Sequence, residues 1–358
     1  MEGIVLLEDG SAFRGISIGL AGERIGEVVL NTSVVGYQEI MTDPANAGKI
    51  LVLTYPLIGN YGVAKKFYES SKCWIEALVI KEKSAIYSNW HAEDSFDAFL
   101  KREGVVAISE VDTRTLAVKI RDSGEMRGIL SCNGAKKKDL AHRLKECKKQ
   151  MKRDCIRTIS VKKVTQCGED PSACKIGILD LGILNNFLKQ LKQLGCTIIL
   201  LPYDTEVDEI MSLHLDGLVI SSGPEEDQAL PGIVEVVKHL IGTIPLLGIA
   251  TGHHIIWCAL GGTTKKMKVG HHGVNYPVRS PSSYKGDITV QNHSLVVDES
   301  SIEGREGTTI TLRNVNDNSV EEMESTDLRF ISTQYYPLRP GCGEVHEVFK
   351  RFIRLIKK

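Results

Sequence analysis

The apolar positions follow two patterns that change near the middle of the chain. In the second half, Ile176 to Leu181, Cys196 to Leu201, Leu215 to Ile220 and Ile244 to Ile249 are short apolar runs bounded by turn residues. Runs of that length and density predict strands buried on both faces. Between the first two, Leu184, Phe187, Leu188, Leu191 and Leu194 recur at helical spacing, and Gly195 stands where a left-handed cap belongs. Ile233 to Leu240 predicts a further helix. The alternation predicts an α/β fold around a parallel sheet, with functional loops at the carboxyl ends of the strands. Two of those ends are built from small residues, Ser221-Ser-Gly-Pro224 and Ala250-Thr-Gly252. The first half reads differently. Gly3 to Leu7, Glu27 to Leu30, Ile50 to Thr54 and Ile75 to Ile80 are strand-like runs broken by Gly and Pro, and Ser95 to Leu100 is helical, which predicts a mixed β-rich domain.

A chain of 358 residues exceeds the roughly 250 to 300 that one core usually supports, so two domains are expected. The stretch from Lys136 to Lys163 carries twelve basic residues against three acids, with Leu140, Leu144 and Cys147 at helical spacing. Cys167-Gly-Glu-Asp-Pro-Ser172 then reads as a turn-rich link. These features place the domains at residues 1–163 and 174–358. No aromatic residue interleaves the lysines, so the basic stretch reads as a solvated helix face rather than a nucleic-acid site. Over the whole chain 44 basic residues offset 45 acidic ones, and nothing global steers it toward nucleic acid or an anionic membrane. Nine cysteines without a Cys-x-x-Cys pair argue against a disulfide framework and a zinc site. The N-terminus has acids where a signal peptide has bases, and no apolar run approaches 18 residues, which predicts a soluble, cytoplasmic protein.

The most informative segment is Gly248-Ile249-Ala250-Thr251-Gly252-His253-His254, between a buried strand and an apolar helix. A Gly-x-nucleophile-x-Gly turn of this kind presents a nucleophile at a strand-to-helix elbow, and the helix N-terminus offers backbone N–H groups to a developing oxyanion. Here the middle residue is Ala250, whose methyl group has no lone pair with which to attack a carbonyl. Cys258 stands eight residues on, about 12 Å along a helix axis, and Thr251 would point away from the tip. Neither replaces a nucleophile at 250.

The sequence resembles the small, glutaminase subunit of carbamoyl-phosphate synthetase, a member of the class I (triad) glutamine amidotransferases. The resemblance covers nearly the whole chain. In the first half it rests on Asn31-Thr-Ser-Val-Val-Gly-Tyr-Gln-Glu-Ile-Met-Thr-Asp-Pro44, Leu53-Thr-Tyr-Pro-Leu-Ile-Gly-Asn-Tyr-Gly62, Ser88-Asn-Trp90 and Val111-Asp-Thr-Arg-Thr-Leu116. In the second half it rests on Asp180-Leu-Gly182, Asn186, Gly217, Ser221-Ser-Gly-Pro224, the elbow, Lys266-Met-Lys-Val-Gly-His-His-Gly273, Asn275, Gln291-Asn-His293, Asn314-Val-Asn-Asp317 and Gln334-Tyr-Tyr-Pro337. It implies an N-terminal domain that docks on a large subunit, followed by a flavodoxin-like α/β amidotransferase domain. It also implies a Cys-His-Glu triad that hydrolyses glutamine and passes ammonia to that large subunit, which uses bicarbonate and MgATP to make carbamoyl phosphate. This chain itself would carry no cofactor and no metal, and heterodimers of the two subunits would assemble further.

The chain departs from the family where the chemistry sits. The triad positions are Ala250, Tyr336 and Leu338. A phenol with an ordinary pKa near 10 is a poor base at neutral pH, and a leucine orients nothing. Glutamine-pocket positions implied by the resemblance are Ser33, Gly223, Glu225, Thr251, His254, Asn292, Ser294 and Leu295. Of these, Ser33, Gly223, Thr251 and Asn292 keep the family pattern. Glu225 replaces a glycine, adding bulk and charge to a loop where glycine permits positive φ, His254 replaces a glutamine, and Ser294-Leu295 replaces Gly-Phe.

Other motifs take simpler readings. His253, His271 and His293 match structural histidines of the family, and with His254 and His272 they have no acid or thiol at ligand spacing in sequence. Gly261-Gly-Thr-Thr-Lys-Lys266 lacks phosphate-loop spacing and reads as a helix-end turn, while Asp112-Thr-Arg114 and Tyr37-Gln-Glu39 read as supports of the N-terminal domain and its partner surface. The leading expectation is a small subunit without glutaminase chemistry, supporting an ammonia-using large subunit. The alternative is a ligand-sensing or scaffolding pseudoenzyme with a remodelled pocket, outside the synthetase. Glutaminase activity by another route would need to replace all three triad groups. The resemblance implies that the carbamoyl phosphate would feed pyrimidine or arginine synthesis.

Overall fold

The computed structural model describes residues 1–148, 153–168, 174–301, 307–339 and 343–357. Most of the expected link after Cys167, Cys342 and part of the basic stretch lie outside them. Two compact units emerge: Met1–Arg153 with Lys268–His272, and Asp154–Met267 with Gly273–Lys358.

The first unit is a closed barrel. Its strands are β1 (Glu2–Leu7), β2 (Ala12–Ser17), β3 (Glu23–Asn31), β4 (Lys49–Ile58), β5 (Ala77–Lys83), β6 (Val106–Ser109) and β7 (Met126–Ser131), paired in the order β1-β2-β6-β5-β4-β3-β7. β3 to β6 run parallel, and β1, β2 and β7 close the barrel with antiparallel pairs. Around it lie α1 (Tyr37–Met41), α2 (Phe96–Arg102), α3 (Thr113–Ser123) and α4 (Lys137–Lys148). The expected strand-like runs form cores of β1, β3, β4 and β5, and the helix expected at Ser95 begins there, with the Ser95 hydroxyl accepting the Ala98 N–H at 3.2 Å as an N-cap. In α4, Leu140 and Leu144 pack on Ile4, Leu6 and Ile129, so the lysines are left on the other faces. Lys268–His272 joins this unit because the Glu125 N–H donates to the Lys268 carbonyl at 2.9 Å and the Glu125 carboxylate accepts the Gly270 N–H at 2.8 Å.

The second unit contains α5 (Cys155–Ile159), β8 (Thr165–Cys167), β9 (Lys175–Leu179), α6 (Asn185–Gln193), β10 (Thr197–Leu201), α7 (Val207–Ser212), β11 (Gly217–Ile220), α8 (Leu230–Leu240), β12 (Leu246–Ile249) and α9 (Thr251–Ala259). It continues through β13 (Thr263–Arg279), β14 (Gly286–Asp298), β15 (Thr309–Asn314), β16 (Val320–Ser325), β17 (Phe330–Thr333) and α10 (Glu347–Ile356). The sheet order is β14-β13-β15-β16-β17-β12-β11-β9-β10-β8. Its parallel centre, β10-β9-β11-β12-β17, has the strand order of a flavodoxin-like sheet, as expected. Along β11, Leu218 and Ile220 enter one core with α8 and α9, while Val219 enters the opposite core with α6 and α10. That period-2 alternation packs both faces of the sheet.

The division between units falls after Arg153, ahead of the expected 163–174 stretch. The reason is local. The Asp227 carboxylate accepts the N–H groups of Cys155 at 2.6 Å and Ile156 at 3.1 Å, Ile156 is fully buried in the second unit's core, and β8 pairs antiparallel with β10. These contacts bind residues 154–167 to the sheet that follows them.

Backbone approach sets the tolerance of two helical glycines. A Cβ on Gly252 would stand 2.1 Å from the Ile220 carbonyl oxygen, whereas one on the exposed Gly232 of α8 would meet nothing within 4 Å. Gly252→Ala should therefore destabilise the fold by about 1–3 kcal/mol, and Gly232→Ala should stabilise it by about 0.5–1 kcal/mol. Urea denaturation of both variants reads the opposite signs; equal shifts would refute this account.

Candidate functional site

The strand-to-helix elbow carries an alanine at its apex. β12, buried along its length, delivers the chain to Ala250, which adopts φ 51° and ψ −104° before α9 begins. Positive φ is strained for a residue with a Cβ. It is held there by three hydrogen bonds: Ala250 N–H to the Thr333 carbonyl of β17 at 2.7 Å, and His253 and His254 N–H groups to the Ala250 carbonyl at 2.9 and 3.2 Å. The flanking glycines are needed sterically, because a Cβ on Gly248 would lie 2.6 Å from the Gly252 carbonyl oxygen. Cys258 lies in the last turn of α9, and burial pushes its thiol pKa up, away from thiolate chemistry.

The three positions expected to correspond to a triad, 250, 336 and 338, meet in one apolar cluster. Ala250, Tyr336 and Phe187 are buried in it and Leu338 packs against it. The Tyr336 ring stands edge-on to Phe187 at 5.8 Å between centroids, and its hydroxyl accepts from Asn292 Nδ2 at 3.4 Å. The segment is fixed from both sides. The Tyr336 N–H donates to Val290 at 2.8 Å, and the Pro337 carbonyl accepts from Gln190 Nε2 of α6 at 3.0 Å. Gln190 Oε1 in turn accepts the His346 N–H at 2.7 Å. This glutamine was missed by the sequence reading; the available signal was a polar residue three positions after Phe187, on the buried face of α6.

The second unit also brings together Gly223, Glu225, Thr251, His254, Ser294 and Leu295. Thr251 Oγ1 donates to the Gly223 carbonyl at 2.6 Å, and Gly223 lies so close to Leu181 that a Cβ would stand 2.2 Å from its carbonyl oxygen. Glu225 corrects one expectation. It is not among the residues with positive φ, so the loop accommodates it without that strain. Its carboxylate turns inward and accepts the Ser294 N–H at 2.6 Å and the Leu295 N–H at 3.4 Å. His254 Nε2 lies 2.7 Å from Gln334 Oε1, while Nδ1 is buried, 3.8 Å from Glu225 Oε1. Burial drives the His254 pKa down to about 4, outweighing the favourable contact with Gln334, so the ring is neutral at pH 7 and no ion pair forms with Glu225. His253, with Nδ1 2.9 Å from Ser332 Oγ, is lowered further by the same desolvation and by its neighbour His254.

Ser33 belongs to the first unit, where its N–H donates to Asn31 Oδ1 at 2.9 Å and its buried hydroxyl has no hydrogen-bond partner. His293 has both ring nitrogens engaged, with the Leu295 carbonyl and Gln291 Oε1, each at 2.9 Å.

The neutral histidines link stability to pH. Protons bind His254 in the unfolded chain near pH 6.5 but in the folded chain only near pH 4. Stability is therefore full above about pH 6.5 and falls by roughly 3 kcal/mol from this residue as pH drops to 4, levelling below. Chemical denaturation from pH 7.5 to 4 should show this slope, and His254→Gln should flatten it; an unchanged slope would contradict the assignment.

Comparison with known proteins gives the same picture at the level of families. Residues 5–130 match the model of the carbamoyl-phosphate synthase small chain, CPSase domain, and residues 177–354 match glutamine amidotransferase class-I. The carbamoyl phosphate synthase small chain of Clostridium acetobutylicum is 40% identical over 99% of this chain and 100% of its own length. That of Chlorobaculum tepidum is 36% identical over 99% and 98%, and that of Listeria monocytogenes 35% identical over 99% and 96%. Full-length similarity at these identities, on a barrel followed by a flavodoxin-like unit with an amidotransferase elbow, means that the chain belongs to the carbamoyl phosphate synthase small-chain family.

Proposed function

We propose that this protein is a carbamoyl-phosphate synthase small subunit that has lost glutamine hydrolysis and supports a large subunit using free ammonia. The observation that carries this reading is the apex of the elbow: Ala250 holds the strained nucleophile conformation with a methyl group, and Tyr336 and Leu338 share its apolar cluster. Amide hydrolysis through an acyl-enzyme needs a lone pair at the apex, a base to take its proton, and a third group to orient the base. The apex supplies none. Tyr336 is engaged through its hydroxyl by Asn292, and Leu338 presents only hydrocarbon. The backbone N–H groups at the start of α9 remain, but donors alone form no covalent intermediate.

The first unit supports the subunit role. Val34, Val35, Ile86 and Trp90 are exposed, Trp90 by 87%. They belong to connected segments: the Ser88 N–H donates to the Asn60 carbonyl at 3.0 Å, and the adjacent Tyr61 hydroxyl accepts the Gly36 N–H at 2.7 Å. Exposed apolar groups gathered on neighbouring loops suit a protein partner, and the large subunit is that partner in this reading. Among the described residues no helix is long and apolar enough to cross a membrane.

The test is reconstitution with the cognate large subunit. Ammonia should support carbamoyl phosphate formation, while the glutamine-dependent rate should lie at least about 10⁴-fold below that of a triad-bearing small subunit. Failure to form a complex, or equal use of glutamine and ammonia, would sink the proposal. In the same system Trp90→Ala should weaken association about 30-fold, the effect of an aromatic anchor; unaltered affinity would remove Trp90 from the docking surface.

A further inference from the structure

We infer that Glu225 is a built-in occupant of the pocket beside the elbow, filling in cis a site that would otherwise receive the carboxylate of an amino-acid ligand. Two consecutive backbone N–H groups, those of Ser294 and Leu295 in β14, converge on its carboxylate at 2.6 and 3.4 Å. The Glu225 side chain is only 6% exposed. A carboxylate withdrawn from water requires donors that compensate its hydration, and paired backbone N–H groups are a recurrent way to hold one. The same pair therefore has the chemistry to bind any small carboxylate that reaches it, and Glu225 reaches it first at the effective concentration of a neighbouring loop.

The surroundings are those of a ligand site rather than of a surface turn. His254 Nδ1, on a residue 5% exposed, faces the Glu225 carboxylate from 3.8 Å. Thr251, at the start of the same helix, directs its hydroxyl to the Gly223 carbonyl, two residues before Glu225. The loop carrying Glu225 is thus tied to the elbow helix at one point and to β14 at another. An incoming carboxylate would have to displace Glu225 and leave it buried without its donors, a loss of charge-assisted hydrogen bonds that external ligands at ordinary concentration do not offset. The chain is accordingly closed to amino-acid ligands by its own side chain.

The inference rests on the proposal that the pocket no longer turns over substrate, but binding and turnover are measured separately. Hydrogen–deuterium exchange of the full chain, followed on peptides spanning Gln291 to Val297, tests it with L-glutamine as the probe. In the wild type, glutamine should leave exchange of these amides unchanged. Glu225→Gly should raise their exchange, and glutamine should then restore protection, with a Kd at least about 10-fold tighter than in the wild type. Glu225→Ala provides the same comparison should the glycine variant fail to fold. Protection of the wild type by glutamine, no rise in exchange on removing Glu225, or a rise that glutamine does not reverse would each overturn the inference. Glutamate release by the reconstituted complex would instead count against the lost glutaminase, leaving the binding result to be judged separately.

Discussion

The constraint on which the second unit depends is the close approach of two backbones at the elbow. Gly252 sits against the Ile220 carbonyl and Gly248 against Gly252, at separations that admit no Cβ. α9 is thereby pressed onto β11 and β12, and the residue between the glycines has to turn through positive φ. None of this involves the side chain at position 250. The strain is sustained by hydrogen bonds from β17 and from the first turn of α9, and by the buried Ile255, Ile256 and Trp257 behind it. The elbow geometry is therefore set by packing and backbone hydrogen bonds, whatever side chain stands at its apex.

The rest of the site has the composition that a buried region favours. A triad keeps a thiol, an imidazole and a carboxylate in a dry environment, and each such group must be paired or neutralised. Here Ala250 and Leu338 bring no polar atom, and Tyr336 adds ring surface against Phe187 while its hydroxyl remains bonded to Asn292. His253 and His254 are held neutral by burial. The inward-turned Glu225 side chain is met by backbone donors. These features favour stability over reactivity.

What was legible in the sequence followed the range of the interactions that encode it. β9, β10, β11 and β12 declare themselves as dense apolar runs because each strand is covered on both faces. β2 does not, since its residues alternate between exposed and half-buried and its sequence includes Arg14 and Gly15. Closure of the barrel is also invisible locally, because it consists of pairings such as Val5 with Leu130 and Ile16 with Ser109. The unit boundary moved for the same reason: Asp227, more than seventy residues away, anchors Cys155 and Ile156. At the site, the identities of Ala250, Tyr336 and Leu338 could be read directly. The inward turn of Glu225 and the clamp of Gln190 could not, since both depend on partners on other elements.

The contrast between the units bears on why the fold persists. Glu125 and the Lys268–His272 segment, Tyr61 and the Gly36 turn, and Ser95 at the start of α2 all retain specific hydrogen-bonded roles in the first unit. In the second, glycines at positions 248 and 252 flank an alanine, and a Cβ on them would meet backbone at 2.6 and 2.1 Å. Side chains that served only catalysis can change at little structural expense, whereas a Cβ at either glycine would force helix and sheet apart. Retention of the elbow glycines is thus explained by core packing alone and carries no information about activity. The informative positions are those that packing leaves free, and at Ala250 and Leu338 the residues are ones that no hydrolytic mechanism uses.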